Sequence, residues 1–184
     1  TYQVSTYDGD VLLVSATVEL AGHSTEPRAY DLLELATVPL PQAEPQESFP
    51  HCWVCGPDPR HPLGQKIHPR YHAPGAISQP WIADEALSAS DDRVAPLVVS
   101  AVLDCPTVFA CLHEVTAMQL DGPFLAGYRL QYFAEAPVME PLRTVARFDE
   151  VDGRKFVGRS ALVDEDGVTY AIASALQVAV PAGR

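Results

Sequence analysis

An acidic residue stands in the middle of an otherwise apolar segment. The segment VVSAVLDCPTVFACL covers positions 98–112, and its one charged side chain is Asp104. A carboxylate in such surroundings can act as a general base on water or as a nucleophile toward an acyl carbon. Thr107 can orient water, and His113 and Glu114 directly follow the segment and can assist. The residue types therefore predict Asp104, Thr107 and His113 as catalytic candidates.

Pro106 makes the position of Asp104 unusual. Proline has no N–H, its ring clashes with the carbonyl of Val102 in a helix, and it biases Cys105 away from helical angles. The sequence therefore predicts a helix that bends or breaks around Asp104. Two interpretations follow. Asp104 caps a second helical piece by accepting from N–H groups near Thr107, or it lies at the mouth of an acyl pocket where those groups stabilise an oxyanion.

A basic stretch precedes this segment in an acidic chain. The chain has 184 residues and a formal net charge of −12, which argues against nucleic-acid binding because that binding is driven by phosphate neutralisation. Positions 60–72 contain no acidic residue, yet Arg60, Lys66 and Arg70 all lie there. The stretch is either a solvated loop or a site for an anionic group such as a phosphate.

The cysteines offer a second kind of chemistry. Cys52 and Cys55 form a CxxC pair, and two further cysteines occur at positions 105 and 111. A structural zinc site usually combines two such pairs, and a second pair is absent. Among the nearby histidines only His68 and His72 have the H-x3-5-H spacing. A zinc site and a structural CxxC are both open at this point, and we expect a reduced CxxC without metal and a protein without a cofactor.

The elements that position Asp104 follow from hydrophobic patterning. The segment from Pro96 to Leu112 is apolar almost all round, which predicts a buried helix. A candidate strand precedes it, and four strands joined in part by Asp-Gly turns at 152–153 and 166–167 follow it. The last strand has alanines on one face, which another element can approach closely. An apolar helix needs a sheet to cover it, so we expect a curved antiparallel sheet wrapped round the helix.

The N-terminal part is organised differently. Asp8-Gly9-Asp10 is a hairpin signal between two β-rich runs, and YDLLELATVPL is either a short helix or an extended piece. A proline-rich stretch without periodicity follows. We therefore divide the chain into N-terminal strands at 1–45, a Pro/Cys/His-rich connector at 46–72 and a main domain at 73–184.

The helix and the strands after it resemble the hotdog fold of acyl-CoA thioesterases over residues 73–184. LDCPTVFA is similar to the L-x-D-x-A pattern of phenylacetate-type hotdog thioesterases, in which the helix Asp is catalytic, and Asp104 occupies that position. VAPLVVS stands where that family has a His-Gly-Gly lead-in. FPHCWVCGPDPRHPLGQKIHP resembles the CFVCG connector of actinobacterial hotdog proteins, which joins an N-terminal unit to a C-terminal one. The expected fold class is therefore α+β, a hotdog domain with residues 1–45 as strands of a partial second unit.

The resemblance implies hydrolysis of an acyl-CoA or related acyl thioester, with Arg60, Lys66 and Arg70 as contacts for the phosphates of CoA. Two alternatives remain: a non-catalytic binder of acyl groups or small hydrophobic ligands, and a hotdog dehydratase or hydratase. The last ranks lowest because the D-x4-H pattern is absent. The resemblance also implies a homodimer or higher homo-oligomer. Composition predicts a cytoplasmic protein without membrane or nucleic-acid partners.

Overall fold

The computed structural model describes residues 2–18, 30–41, 49–57, 60 and 62–183. The strands and helices within these residues are β1 (Tyr2–Asp8), β2 (Val11–Val18), α1 (Tyr30–Thr37), β3 (Arg70–Ala73), β4 (Ala76–Trp81), β5 (Ser88–Ser90), β6 (Arg93–Val94), α2 (Pro96–Ala117), β7 (Leu120–Tyr132), β8 (Leu142–Asp152), β9 (Lys155–Asp164) and β10 (Thr169–Pro181). A short 3-10 helix lies at Glu85–Leu87.

A six-stranded antiparallel sheet surrounds the central helix. Its strand order is β3-β4-β8-β9-β10-β7, and α2 contacts β4 and all four strands from β7 to β10. The predicted α+β architecture, a curved antiparallel sheet around one apolar helix, is confirmed. By length and composition α2 could also cross a membrane, but its place inside the sheet is that of a core helix.

The central helix is continuous through its proline. All 22 residues of α2 are helical, Pro106 included, so the predicted break around Asp104 is wrong. Two carbonyls next to the proline accept side-chain hydroxyls: Ser160 Oγ donates to Leu103 O at 2.7 Å and Thr107 Oγ1 donates to Asp104 O at 2.7 Å. Neither bond replaces the N–H that Pro106 withholds from Val102 O, and it is the burial of the helix that offsets the cost of an interior proline, about 3 kcal/mol.

The two faces of the sheet pack on different helices. Leu162 of β9 and Ala173 of β10 belong to the core around α2, whereas Val163 packs with Leu35 of α1 on the other face. The first eight residues of YDLLELATVPL thus form a helix rather than an extended piece. The alanine face of β10 packs closely against α2, as predicted. On α1, Asp31 accepts two hydrogen bonds from the guanidinium of Arg159, at 2.8 and 3.2 Å, which fastens this helix to the sheet.

The sheet approaches α2 closely at a glycine. A Cβ added to Gly158 of β9 would lie 2.9 Å from Thr107 O and 3.2 Å from Cys111 Sγ. Any side chain at this position would push the helix away from the sheet. The glycine therefore sets the depth at which the middle of α2 lies.

The N-terminal strands form a sheet of their own. β1 and β2 pair as an antiparallel hairpin around the predicted Asp8-Gly9-Asp10 turn, separate from the six-stranded sheet. The assignment of residues 1–45 to a partial hotdog unit, and the boundaries at 46 and 73, stay predictions.

Candidate functional site

Asp104 lies on the side of α2 that is least covered. Leu97, Ala101, Asp104 and Val108 are all exposed or half-buried, while Leu103 between them is fully buried. Residues three and four apart share one helix face. The carboxyl group therefore belongs to a stripe of the helix that the sheet does not fully enclose.

The carboxyl of Asp104 has an unused acceptor. Its Oδ1 is buried and has no hydrogen-bond partner in the part of the chain that the structure describes. Burial, with a smaller contribution from negative charge on Cys52, raises the pKa of this carboxyl to about 6. Because α2 is continuous, no second helical piece begins here for Asp104 to cap. The group is left as an acceptor for water or for a ligand.

Thr107 is bonded to its surroundings rather than to open space. It is completely buried; its hydroxyl donates to Asp104 O at 2.7 Å and accepts from Gln177 Nε2 at 3.1 Å. The structure thus places Thr107 one turn from Asp104, on the sheet side of the helix, where its hydroxyl stabilises the backbone next to the proline.

His113 is not brought to Asp104. It lies nine residues further along α2, which corresponds to about 13 Å along the axis and the opposite side of the helix. It is exposed and lines a shallow cleft of about 390 Å³ together with Tyr71, Pro74 and Thr116. Glu114 is also near the end of the helix and away from the carboxyl group.

Tyr128 of β7 is a neighbour that the sequence did not identify. Its hydroxyl donates to Ser100 O at 2.9 Å. Burial and then the nearby charge of Asp104 raise the pKa of Tyr128. Its role depends on a contact with the helix that the sequence of the strand alone does not reveal.

The CxxC segment of the connector lies against the residue next to Asp104. Cys52 Sγ is 3.5 Å from Cys105 Sγ, and the sulfurs of Cys52, Cys55 and Cys105 all lie within 4.8 Å of one another. A second segment of the connector packs on this turn, since Ile67 N donates a backbone hydrogen bond of 2.9 Å to Val54 O. Sequence spacing cannot reveal this meeting, because the third thiol comes from a helix far along the chain.

The three thiols perturb one another. Hydrogen bonds from Cys105 and Cys55, with help from the N–H groups of Cys55 and Val54, lower the pKa of Cys52 to about 2. The pKa of Cys105 is raised, chiefly by its hydrogen bond to Cys52. Negative charge in the cluster is therefore concentrated on Cys52.

The basic residues of the connector are distributed around this turn. Arg60 Nη2 is hydrogen-bonded to His51 Nδ1 at 3.2 Å, one position before the CxxC. Lys66 is exposed and lies between two residues whose N–H groups bond to the CxxC segment. Arg70 is on β3 and donates to Pro41 O at 3.3 Å. Arg60 and Lys66 are thus tied to the segment that meets α2, while Arg70 is held by the end of the N-terminal part.

Comparison with known proteins finds relatives by structure alone. No protein-family profile and no curated protein matches the sequence. The chain is similar to the crystal structure of a thioesterase superfamily protein, with 20% identity, a TM-score of 0.62 and coverage of 70% of this chain and 60% of that one. It therefore spans less than two thirds of that protein.

Two further structures show the same likeness. The PaaI protein of the phenylacetic acid degradation operon of E. coli has 12% identity and a TM-score of 0.56 over 65% of this chain and 81% of that one. Zebrafish thioesterase superfamily member 2 has 12% identity and a TM-score of 0.56 over 64% and 84%. At these identities the likeness establishes the fold. The predicted hotdog fold is confirmed, and the CFVCG subgroup stays a prediction.

Proposed function

We propose that the protein hydrolyses acyl thioesters, with acyl-CoA as the substrate class and Asp104 as the residue that acts on the reacting atoms. One observation carries the proposal: a buried carboxyl oxygen without a hydrogen-bond partner in the described residues, on a side of the central helix that the sheet does not fully enclose. The confirmed hotdog fold supports it, because structures similar in fold include thioesterase superfamily proteins.

The proposed reaction uses Asp104 as a general base. The carboxylate takes a proton from a water molecule, and the water oxygen bonds to the acyl carbon. The carbon–sulfur bond then breaks, and the CoA thiolate leaves and takes up a proton. Thr107 contributes by holding the backbone carbonyl of Asp104, which fixes the helix turn that carries the carboxyl.

Arg60, Lys66 and Arg70 are the proposed contacts for the phosphates of CoA. The chain as a whole repels anions, with a net charge of −12. An anionic substrate therefore needs local positive charge, and these side chains supply it along the connector that packs beside Asp104. We further propose a soluble cytoplasmic homodimer, in which the edge strand β7 pairs with a second copy.

A non-catalytic acyl-binding protein is the second candidate. The observation that favours it is the distance of His113 from Asp104 and the engagement of Thr107 with Gln177. The hydroxyl of Thr107 is bonded to backbone and to Gln177, and His113 lies on the opposite side of the helix, so neither of the other two predicted catalytic side chains is free beside the carboxyl. A binder would hold the acyl group beside Asp104 without a reaction.

An acyl-CoA panel assay separates the two functions. We expect the wild type to release free CoA thiol from at least one acyl-CoA, and Asp104→Asn to lower kcat by about 10²- to 10⁴-fold, the usual contribution of a general base, with KM changed little. Asp91→Asn, an exposed acid outside the helix, is the matched control and should keep the wild-type rate. Wild-type binding of acyl-CoA without turnover would favour the binder, and an Asn variant with full activity would remove Asp104 from the mechanism.

A further inference from the structure

We propose that Cys52, Cys55 and Cys105 bind one Zn²⁺ ion, which fastens the connector to the central helix beside Asp104. This inference is independent of thioester hydrolysis. The expectation of a metal-free CxxC depended on the missing second cysteine pair. In the folded chain Cys105 of α2 supplies a third sulfur. The site therefore has three cysteine ligands rather than the two that the sequence indicated.

The distances between the sulfurs suit a tetrahedral zinc site. With a Zn–S bond of about 2.3 Å, two sulfur ligands of a tetrahedral ion lie about 3.8 Å apart. The Cys52–Cys105 separation is 3.5 Å, and no pair among the three sulfurs exceeds 4.8 Å. Small side-chain rotations therefore bring all three to one ion.

The turn that carries the CxxC is built to aim its sulfurs. Gly56 N donates to Cys52 O at 2.8 Å, and a Cβ on Gly56 would lie 2.6 Å from the carbonyl oxygens of Cys52, Phe49 and Pro50. Only glycine, which has no Cβ, therefore fits at this position of the turn. The N–H groups of Val54 and Cys55 point to the sulfur of Cys52, an arrangement that stabilises a ligating thiolate.

Two polar atoms next to the cluster also lack partners. Asp104 Oδ1 and His68 Nδ1 are buried and have no hydrogen bond to any described residue. Asp104 adjoins Cys105, and His68 follows Ile67, which is bonded to the CxxC turn. Neither atom belongs to the group of ligand atoms that lie within 4.8 Å of one another, so the fourth position on a zinc ion held by the three thiolates is open to water.

The chemistry of the ligands selects the metal. Thiolates favour Zn²⁺ over Mg²⁺ and Ca²⁺, which prefer oxygen. A disulfide between Cys52 and Cys105 would use two of the sulfurs and leave Cys55, which is 1% exposed, without a role in the cluster. A bound metal ion explains why the three sulfurs lie together.

Elemental analysis of the purified full chain tests the proposal. We expect about one zinc ion per chain, and Co²⁺ in its place should give thiolate-to-metal charge-transfer absorption in the near ultraviolet. Cys52→Ala, Cys55→Ala and Cys105→Ala should each lose the metal. Cys111→Ala is the matched control, because Cys111 is a buried cysteine of the same helix that lies outside the cluster, and it should retain the metal.

A titration of the wild-type protein with a thiol reagent tests the site even if the cysteine variants fail to fold. Stepwise addition of a mercurial reagent to the zinc-loaded protein should release the metal as the cluster thiols react. The proposal is overturned if the wild type, purified and reloaded with Zn²⁺, holds less than about a tenth of an equivalent. A fully folded Cys105→Ala that keeps the wild-type zinc content would overturn it as well, and so would a metal-free protein with a disulfide within the cluster.

Discussion

The unpaired carboxyl oxygen of Asp104 is unfavourable for folding, because burial of a charged group without a partner costs free energy. An amide of the same shape carries no charge. We therefore expect Asp104→Asn to leave the free energy of unfolding at pH 7 unchanged or to raise it, by up to about 1–2 kcal/mol, although it removes the proposed catalytic group. Urea denaturation of the two proteins measures the difference. A clear loss of stability would show that Asp104 serves the fold and would weaken its functional assignment.

At the scale of single residues the sequence was informative where the signal was local. Asp104 stood out because it is the one charge in an apolar segment. Cys105 and Tyr128 did not, because their importance depends on contacts with Cys52 and Ser100 that only the folded chain creates. His113 is near Asp104 in sequence, but helix geometry carries it to the other side.

At the scale of elements the depth of the central helix depends on one glycine. A Cβ on Gly158 would meet the backbone carbonyl of Thr107 at 2.9 Å, and backbone cannot rotate away. We expect Gly158→Ala to lower the free energy of unfolding by about 1–3 kcal/mol, as overpacking does, measured by urea denaturation. Gly127 of β7 is the control, since its added Cβ would be at an ordinary 3.6 Å from Leu176. Equal stability of the two alanine variants would contradict this account.

The same packing explains why the sequence failed at Pro106. Local rules predict a break there, but Val102, Leu103 and Phe109 around the proline are fully buried, and this packing outweighs one missing hydrogen bond. Ser160 also donates to Leu103 O, and because Ser160 belongs to a strand, that contact is a tertiary effect. Periodicity did predict the helix, the strands after it and the alanine face of β10, because these are properties of each segment taken alone.

At the scale of the whole molecule the order of elements predicted a curved antiparallel sheet around one helix and the resemblance identified it as a hotdog fold, whereas the assignment of residues 1–45 to a partial second unit stays a prediction. The edge strand β7 has one partner, β10, in the described sheet, and it is 13 residues long. Phe124 and Leu125 in its middle are 57% and 48% exposed. An exposed apolar edge of this length offers unpaired N–H and C=O groups to another chain, and a two-fold dimer is the simplest assembly that covers it.

Charge placed on that edge should therefore separate the subunits. We expect the wild type to be a dimer at micromolar concentration by light scattering, and Phe124→Lys combined with Leu125→Lys to be a monomer, because pairing would bury the two ammonium groups. Val168→Lys is the control, since Val168 is also exposed, at 46%, but precedes β10, away from the edge strand. If the acyl pocket lies at the seam, the monomeric variant should also lose hydrolysis while its Asp104 is intact. If the wild type is a monomer, the proposed dimer is wrong. If the monomeric variant is fully active, the whole site lies within one subunit.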